Sequence, residues 1–321
     1  MNIFVDLEMP VSALEILRAG TAGHQLLFPK TPTASVLAKA MPDAQFASAE
    51  IAFGQPDLSA IANAPRLKWI HVSSSGYTRY DTAQFRALAA ERKIAFTNSA
   101  GVYQEACAVH VLSFMLAQAR NLPAALSARV ANATPVWNQL RATSSTLRGE
   151  TVLILGYGSI GRRLVELLQP FGMSFLAYRR KARGDENIPV VTGNQLADAL
   201  HRADHVINIL PESVETKNFF DTARLAQIKP GAVFYNLGRG ATVDQDALAG
   251  ALRAGQIKSA WLDVTDPEPL PDGHPLYLLP NCHITPHLAG GQAREAEALV
   301  RHFIGNFQRF VNHEPLLDRV M

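Results

Sequence analysis

The chain has 321 residues, 48% of them hydrophobic and 18% charged, a balance that suits a globular protein of about two domains at roughly 150 residues each. Thirty basic against 28 acidic side chains leave a formal charge of +2, which argues against the clustered basic face that nucleic acid or an anionic membrane calls for. No stretch reads as the ~18 apolar residues of a membrane span, and the N-terminus MNIFVDLEMP is acidic where a secretory signal needs positive charge. Cys107 and Cys282 stand far apart and lack metal-ligand spacing. The expectation is a soluble, cytoplasmic protein whose partners are small molecules, with no nucleic acid and no membrane.

Short β-rich runs open the chain, at 3–5, 25–28, 51–53, 68–72 and 94–97, with amphipathic segments at 11–18 and 82–90 between them. Strands that alternate with helices predict a parallel sheet with helices on both faces. A long apolar helix is expected over about 102–119, ended near Asn121 and Pro123. Residues 127–145 are polar and weakly periodic and read as an arm or connection. A second series then places strands at 151–155, 174–178, 205–210, 232–236, 258–262 and 282–285, with helical runs at 160–168, 195–203, 222–227 and 245–254. Six strands in two sets of three is the count of a dinucleotide-binding sheet built from two βαβαβ halves. After Gly291 the chain reads as helix to about Phe310.

The strongest local motif is Gly156-Tyr157-Gly158-Ser159-Ile160-Gly161, directly after the apolar run TVLIL and opening an amphipathic helix. The first glycine permits a tight turn and the second lets backbone approach a pyrophosphate. The third allows close helix–strand packing, while the helix N-terminus offers N–H donors to the anion. A bare pattern of this kind also arises as a structural turn; the strand–loop–helix context favours nucleotide binding.

The next strand ends at Tyr178, followed by Arg179, Arg180 and Lys181, with no acid before Asp185. A site for NAD places a carboxylate here to accept from the ribose 2′-hydroxyl. A carboxylate repels a 2′-phosphate, whereas a guanidinium holds one with paired hydrogen bonds. The residues therefore favour NADP(H), with NAD(H) open and a solvated basic loop as the plainer reading.

Further along, Asn236-Leu237-Gly238-Arg239-Gly240 follows the fourth strand of the series, Asp263 and Glu268 follow the fifth, and His287 follows the sixth. Strand ends of this kind are where open α/β sheets bind ligands. An arginine fork suits a carboxylate-bearing substrate, and a carboxylate beside a histidine favours the protonated ring that can donate a proton.

Taken together these segments resemble the D-isomer-specific 2-hydroxyacid dehydrogenases, which include glyoxylate and hydroxypyruvate reductases and phosphoglycerate dehydrogenases. The matching stretches are VLILGYGSIGRRL, ADHVINILPESVETKNF, KPGAVFYNLGRGATVDQDAL, AWLDVTDPEPLPDGHPLY and NCHITPHLAGG, with looser matches in SSSGYTRYD and TNSAGVYQEACAVH. The resemblance implies a Rossmann-type doubly wound sheet at 99–289 inserted into a smaller flavodoxin-like α/β substrate domain, 1–98 plus 290–321. It also implies a homodimer, with the long helix and residues 127–145 near the interface.

By the same resemblance, Arg239 binds the substrate carboxylate and polarises the carbonyl, His287 is the acid/base and Glu268 its partner. Asp263 contacts the nicotinamide end. Leu210, Pro211 and Thr216 line the adenosine and phosphates, Leu237, Gly238 and Gly290 join the cofactor contacts, and Ser75 and Gly76 hold the substrate carboxylate. Two departures stand out: Val109 replaces a usual Glu before His110, and Arg179 stands where NAD-preferring members carry Asp. Glu268 argues against a formate dehydrogenase, which carries Gln there; a phosphite dehydrogenase and a non-catalytic dinucleotide sensor are the other readings.

Overall fold

The apolar runs of the first hundred residues pair as a parallel five-stranded sheet of β1 (Asn2–Asp6), β2 (Gln25–Leu27), β3 (Ile51–Gly54), β4 (Trp69–Val72) and β5 (Ala95–Thr97), ordered β2-β1-β3-β4-β5. That is the flavodoxin-like order. The structure, a computed structural model, describes residues 1–34 and 41–321. The chain divides into two units, Met1–Tyr103 with Gly291–Met321, and Gln104–Gly290.

In the first unit one sheet face is covered by Phe46, Ile61, Leu67, Phe85 and Ala89, which pack on Phe4, Ile70, Val72 and Phe96. On the other side, the C-terminal helix Glu295–Val311 lays Phe303 flat on Phe53, with ring centroids 4.3 Å apart, and 5.3 Å from Trp69. The helix Val11–Gly20 lies against the same C-terminal helix, so tightly that a Cβ on Gly20 would meet Ile304. The boundary corrects the expected division at residue 98. Residues 99–103 belong with the first unit because Gly101 N donates to Asp318 Oδ2 (2.8 Å) and the Tyr103 hydroxyl lies 2.9 Å from Ser73 O and 2.8 Å from Glu295 Oε1.

The second unit holds a seven-stranded parallel sheet of β6 (Thr151–Leu155), β7 (Ser174–Tyr178), β8 (Val190–Val191), β9 (His205–Asn208), β10 (Ala232–Asn236), β11 (Ile257–Leu262) and β12 (Cys282–Ile284). Its order, β12-β11-β10-β9-β6-β7-β8, reverses direction between β6 and β9, as a doubly wound Rossmann sheet does. The inner strands are buried on both faces, which is why they read as continuous apolar runs. Leu153, Val206, Phe234 and Leu262 face one helix layer, and Ile154, Ile207, Tyr235 and Trp261 the other.

Three features differ from expectation. The seventh strand, β8, pairs with Ala177 and Tyr178, and two residues are too few to show any period. The polar stretch 127–145 is not a plain arm: helices Leu122–Ala128 and Pro135–Thr143 occupy much of it. Asn121, at φ 50°, breaks the preceding helix, and Thr134 caps the second short helix by accepting from Trp137 N (3.2 Å). The helix Ala100–Ala119 is, by length and a mean hydropathy of 1.2, apolar enough to cross a membrane, which corrects the expectation that no stretch is. Its Ala108, Val111, Phe114, Met115 and Ala119 are instead buried in the core of the second unit.

Candidate active site

The site is built from loops at the carboxyl ends of the second sheet's strands. β6 feeds Gly156, whose φ of 93° favours glycine and whose added Cβ would lie 2.5 Å from Ile209 O. The helix Ser159–Leu168 starts at Gly158, with no side chain capping its first turn. A Cβ on Gly158 would meet nothing within 4 Å among the described residues. Uncapped N–H groups, the positive end of a ten-residue helix and open space beside a glycine fit the pyrophosphate of a dinucleotide. Tyr157 is buried, and Ile160 and Gly161 lie in the first helical turn, with Gly161 close against Tyr157 and Ile154.

At the end of β7 the structure adds a residue that sequence reasoning missed. Arg179 does not extend into solvent. Its guanidinium donates to Tyr157 O, and its Nε lies 3.3 Å from Glu186 Oε1. Glu186 also accepts from Arg183 N and Gly184 N, both at 2.9 Å. The Arg183 N–H leads in holding its carboxyl below the usual range, helped by Gly184 N–H and Arg179 against some burial. Arg180 and Lys181 are exposed.

At the end of β10, a buried network fixes the backbone of Arg239. Asn208 Nδ2 donates to Asn236 Oδ1 (3.0 Å) and Thr242 Oγ1 (2.7 Å), and Thr242 Oγ1 in turn donates to Arg239 O (2.6 Å). Gly240 is required by close approach, since a Cβ there would lie 2.0 Å from the Thr265 carbonyl carbon. The Arg239 Nη1 donates to Gly238 O (2.6 Å).

The loop after β11 delivers Glu268, which accepts from Thr265 N (3.0 Å) through Oε1 and lies 2.8 Å from His287 Nδ1 through Oε2. Burial works against the Glu268 carboxylate, but the His287 hydrogen bond and charge, the Thr265 N–H and the nearby Arg239 outweigh it and hold its pKa below the ordinary value. Arg239, Glu268 and His287 are thus gathered at one edge, leaving the other ring nitrogen of His287 outside the pair. His287 itself has φ 49°, an uncommon conformation for a non-glycine residue that tends to be retained at functional sites.

Asp263 holds that conformation in place. Its Oδ1 accepts from Thr285 Oγ1 (2.6 Å) and Leu288 N (2.9 Å), its Oδ2 from Ala289 N (2.9 Å), and its carbonyl from His287 N (2.9 Å). Both carboxylate oxygens are therefore committed to the turn that carries His287 and leads to Gly290. His110 adds to this cluster, 3.3 Å from Thr285 Oγ1 and 3.7 Å from Asp263 Oδ1. Burial lowers its pKa, against the pull of Asp263. The sequence signals for His110 were its place beside the unusual Val109 and at the end of the looser match TNSAGVYQEACAVH.

The remaining predicted residues divide. Leu210 is buried, with its N–H on Asn208 Oδ1 (3.2 Å), and Leu237 N donates to Asn208 O (3.0 Å). Thr216 closes the following loop, its hydroxyl donating to Pro211 O (2.6 Å). Ser75 and Gly76 belong to the first unit, after β4, where Asn98 Nδ2 donates to Ser75 O (2.7 Å) and Ser74 Oγ to Gly76 O (2.6 Å).

A doubly wound sheet with an open glycine cradle binds dinucleotides, and a histidine–carboxylate pair at the same edge can move the proton that accompanies hydride transfer. The chain is an NAD(P)-dependent oxidoreductase. It belongs to the D-isomer specific 2-hydroxyacid dehydrogenase family, whose NAD binding domain profile matches residues 112–289. An uncharacterized Corynebacterium melassecola protein is 36% identical over 79% of this chain and 82% of its own length. A glyoxylate reductase of Thermofilum pendens is 32% identical over 77% of this chain and 74% of its own length. Among solved structures, an NADPH-dependent glyoxylate/hydroxypyruvate reductase of Sinorhizobium meliloti is 26% identical, covers 99% of this chain and 96% of its own, and superposes with a TM-score of 0.75.

Proposed function

We propose that the protein reduces a small 2-oxo acid, glyoxylate or hydroxypyruvate, to the D-2-hydroxy acid, with NADPH favoured over NADH. The observation that carries this reading is the 2.8 Å pair of Glu268 and His287 beside Arg239, at the edge of the sheet that offers the glycine cradle. The bound nicotinamide supplies the hydride for the carbonyl carbon. Arg239 holds the substrate carboxylate as a fork and draws the carbonyl's developing negative charge toward itself, a preorganised electrostatic contribution of the kind that is often the largest. His287, held by Glu268 through Nδ1, gives a proton to the carbonyl oxygen. Asp263 keeps the turn under His287 from relaxing. Gly156 to Gly161, with the uncapped helix behind them, hold the pyrophosphate.

The glyoxylate reductase relatives support the substrate class, and Arg179 with the exposed Arg180 supports NADPH. Two free, separate cysteines, both pushed up to about 12 by burial, support a reducing, cytoplasmic setting. Apolar side chains exposed on the helices around residues 109–136 (Val109, Leu122, Val136 and the 77% exposed Leu126) support a homodimer formed through that face. The test is oxidation of NADPH and NADH followed at fixed concentration against a panel of 2-oxo acids. Turnover with glyoxylate or hydroxypyruvate is expected; tight dinucleotide binding without turnover of any 2-oxo acid would favour the sensor reading instead.

A further inference from the structure

Residues 183–187 fold back over the glycine loop and are attached there at three points. Glu186 pairs with Arg179. Asp185 pairs with Arg162, Oδ2 to Nη2 at 2.8 Å, while Arg162 Nη1 donates to Asp185 O at 2.8 Å. The Tyr157 hydroxyl donates to Asn187 Oδ1, and the Arg162 guanidinium lies over the Tyr157 ring, 5.2 Å from its centroid. The Arg179 side chain is only 11% exposed and that of Glu186 4%. The Arg179 guanidinium, bonded to the Tyr157 carbonyl of the glycine loop, is thus already paired with a carboxylate of the same chain, whereas Arg180, Lys181 and Arg183 face solvent.

We propose that Glu186 is a specificity-determining residue for the cofactor, an intramolecular competitor of the ribose 2′-phosphate for Arg179. The proposal rests on the reading of this sheet edge as a dinucleotide site. Carboxylate and phosphate both match the two-pronged guanidinium. A 2′-phosphate brings about two negative charges and has to displace Glu186 or sit beside it, and like charges at contact repel. A ribose hydroxyl makes no such demand, so NADH leaves the pair closed. A carboxylate seven residues beyond the strand-end arginine thereby tempers the preference that the arginine creates. Glu186→Gln removes the competing charge and keeps one oxygen to accept from the Arg183 or Gly184 N–H, which in wild type bond separate carboxylate oxygens. The Asp185–Arg162 and Asn187–Tyr157 attachments hold the segment in place.

The test is calorimetric titration of the whole protein with NADPH, NADH, 2′,5′-ADP and 5′-ADP, for wild type, Glu186→Gln, Arg179→Ala and the double variant. Glu186→Gln is expected to bind NADPH and 2′,5′-ADP about tenfold more tightly, with NADH and 5′-ADP changed by less than about twofold. The gain should vanish in the Arg179→Ala background, which is the signature of a coupled pair. An unchanged NADPH-to-NADH ratio in Glu186→Gln, a gain that persists without Arg179, or a wild type that binds neither dinucleotide overturns the proposal. Tight binding without reduction of any 2-oxo acid defeats the proposed reaction alone and leaves this result readable.

Discussion

Glu268→Gln separates the electrostatic from the positional role of the carboxylate beside His287. The two charges of the pair, with Oε2 2.8 Å from Nδ1, interact in wild type across a boundary that is partly wet: the side chains are 36% and 26% exposed. Unit charges about 4 Å apart attract by ~1 kcal/mol in water and ~4 kcal/mol at an effective dielectric near 20. With a third of the carboxylate in solvent the lower half of that range applies, about 1–2 kcal/mol. The sign follows from linkage: the imidazolium helps hold the Glu268 carboxyl low, so the carboxylate equally favours the imidazolium. Reduction needs the ring protonated, so kcat/KM falls as pH rises. Without the charge on residue 268, that fall moves to lower pH, while the amide oxygen still accepts from Nδ1 and keeps the ring oriented. The assay is kcat/KM for glyoxylate with NADPH over roughly pH 5 to 9. A profile uniformly lowered but unshifted, or shifted upward, would refute the reasoning and leave Glu268 a spacer.

Three further outcomes are expected. His287→Ala and Arg239→Ala should each lower kcat/KM by about 10²–10⁴-fold while the Kd for NADPH stays within a few-fold, and near-normal turnover of either would remove that residue from the chemistry. Arg179→Asp should turn the NADPH-to-NADH ratio of kcat/KM toward NADH by about tenfold or more, since paired, charge-assisted hydrogen bonds to a 2′-phosphate are lost; a variant that still prefers NADPH shows that other residues read the phosphate. Phe303→Ala, which empties the stack between Phe53 and Trp69, should cost the first unit about 3–5 kcal/mol in urea unfolding, and a loss below about 1 kcal/mol would mean that the C-terminal helix adds little to its core.

The glycine cradle was legible in the sequence because its physics is local: an apolar strand, a turn that needs positive φ at Gly156 and a helix start at Ser159 fall within a few residues. The long strands were legible for a related reason, because burial on both faces writes itself as an unbroken apolar run. The two-residue β8 and the helices of 122–143 were not. The first has no period, and the others are set by three left-handed residues, Asn121, Arg129 and Ala133, and one cap, Thr134. The order of residues along the chain also set which loops reach the sheet's ligand edge, and so the grouping of Arg239, Glu268 and His287 could be anticipated. What the acids and bases do to one another could not. Asp263 reads as a cofactor contact, yet folding commits its oxygens to Thr285, Leu288 and Ala289, more than twenty residues away. Arg179 reads as a free fork until a returning segment sets Glu186 against it. Charges pair by distance in space, and a loop's path is fixed by attachments such as Asp185 on Arg162 and Asn187 on Tyr157, which no spacing in the chain specifies. The sequence by itself determined the sheet, the cradle and the candidates at its edge; the tertiary structure decided which of those charges are held, which are neutralised and which stay available for chemistry.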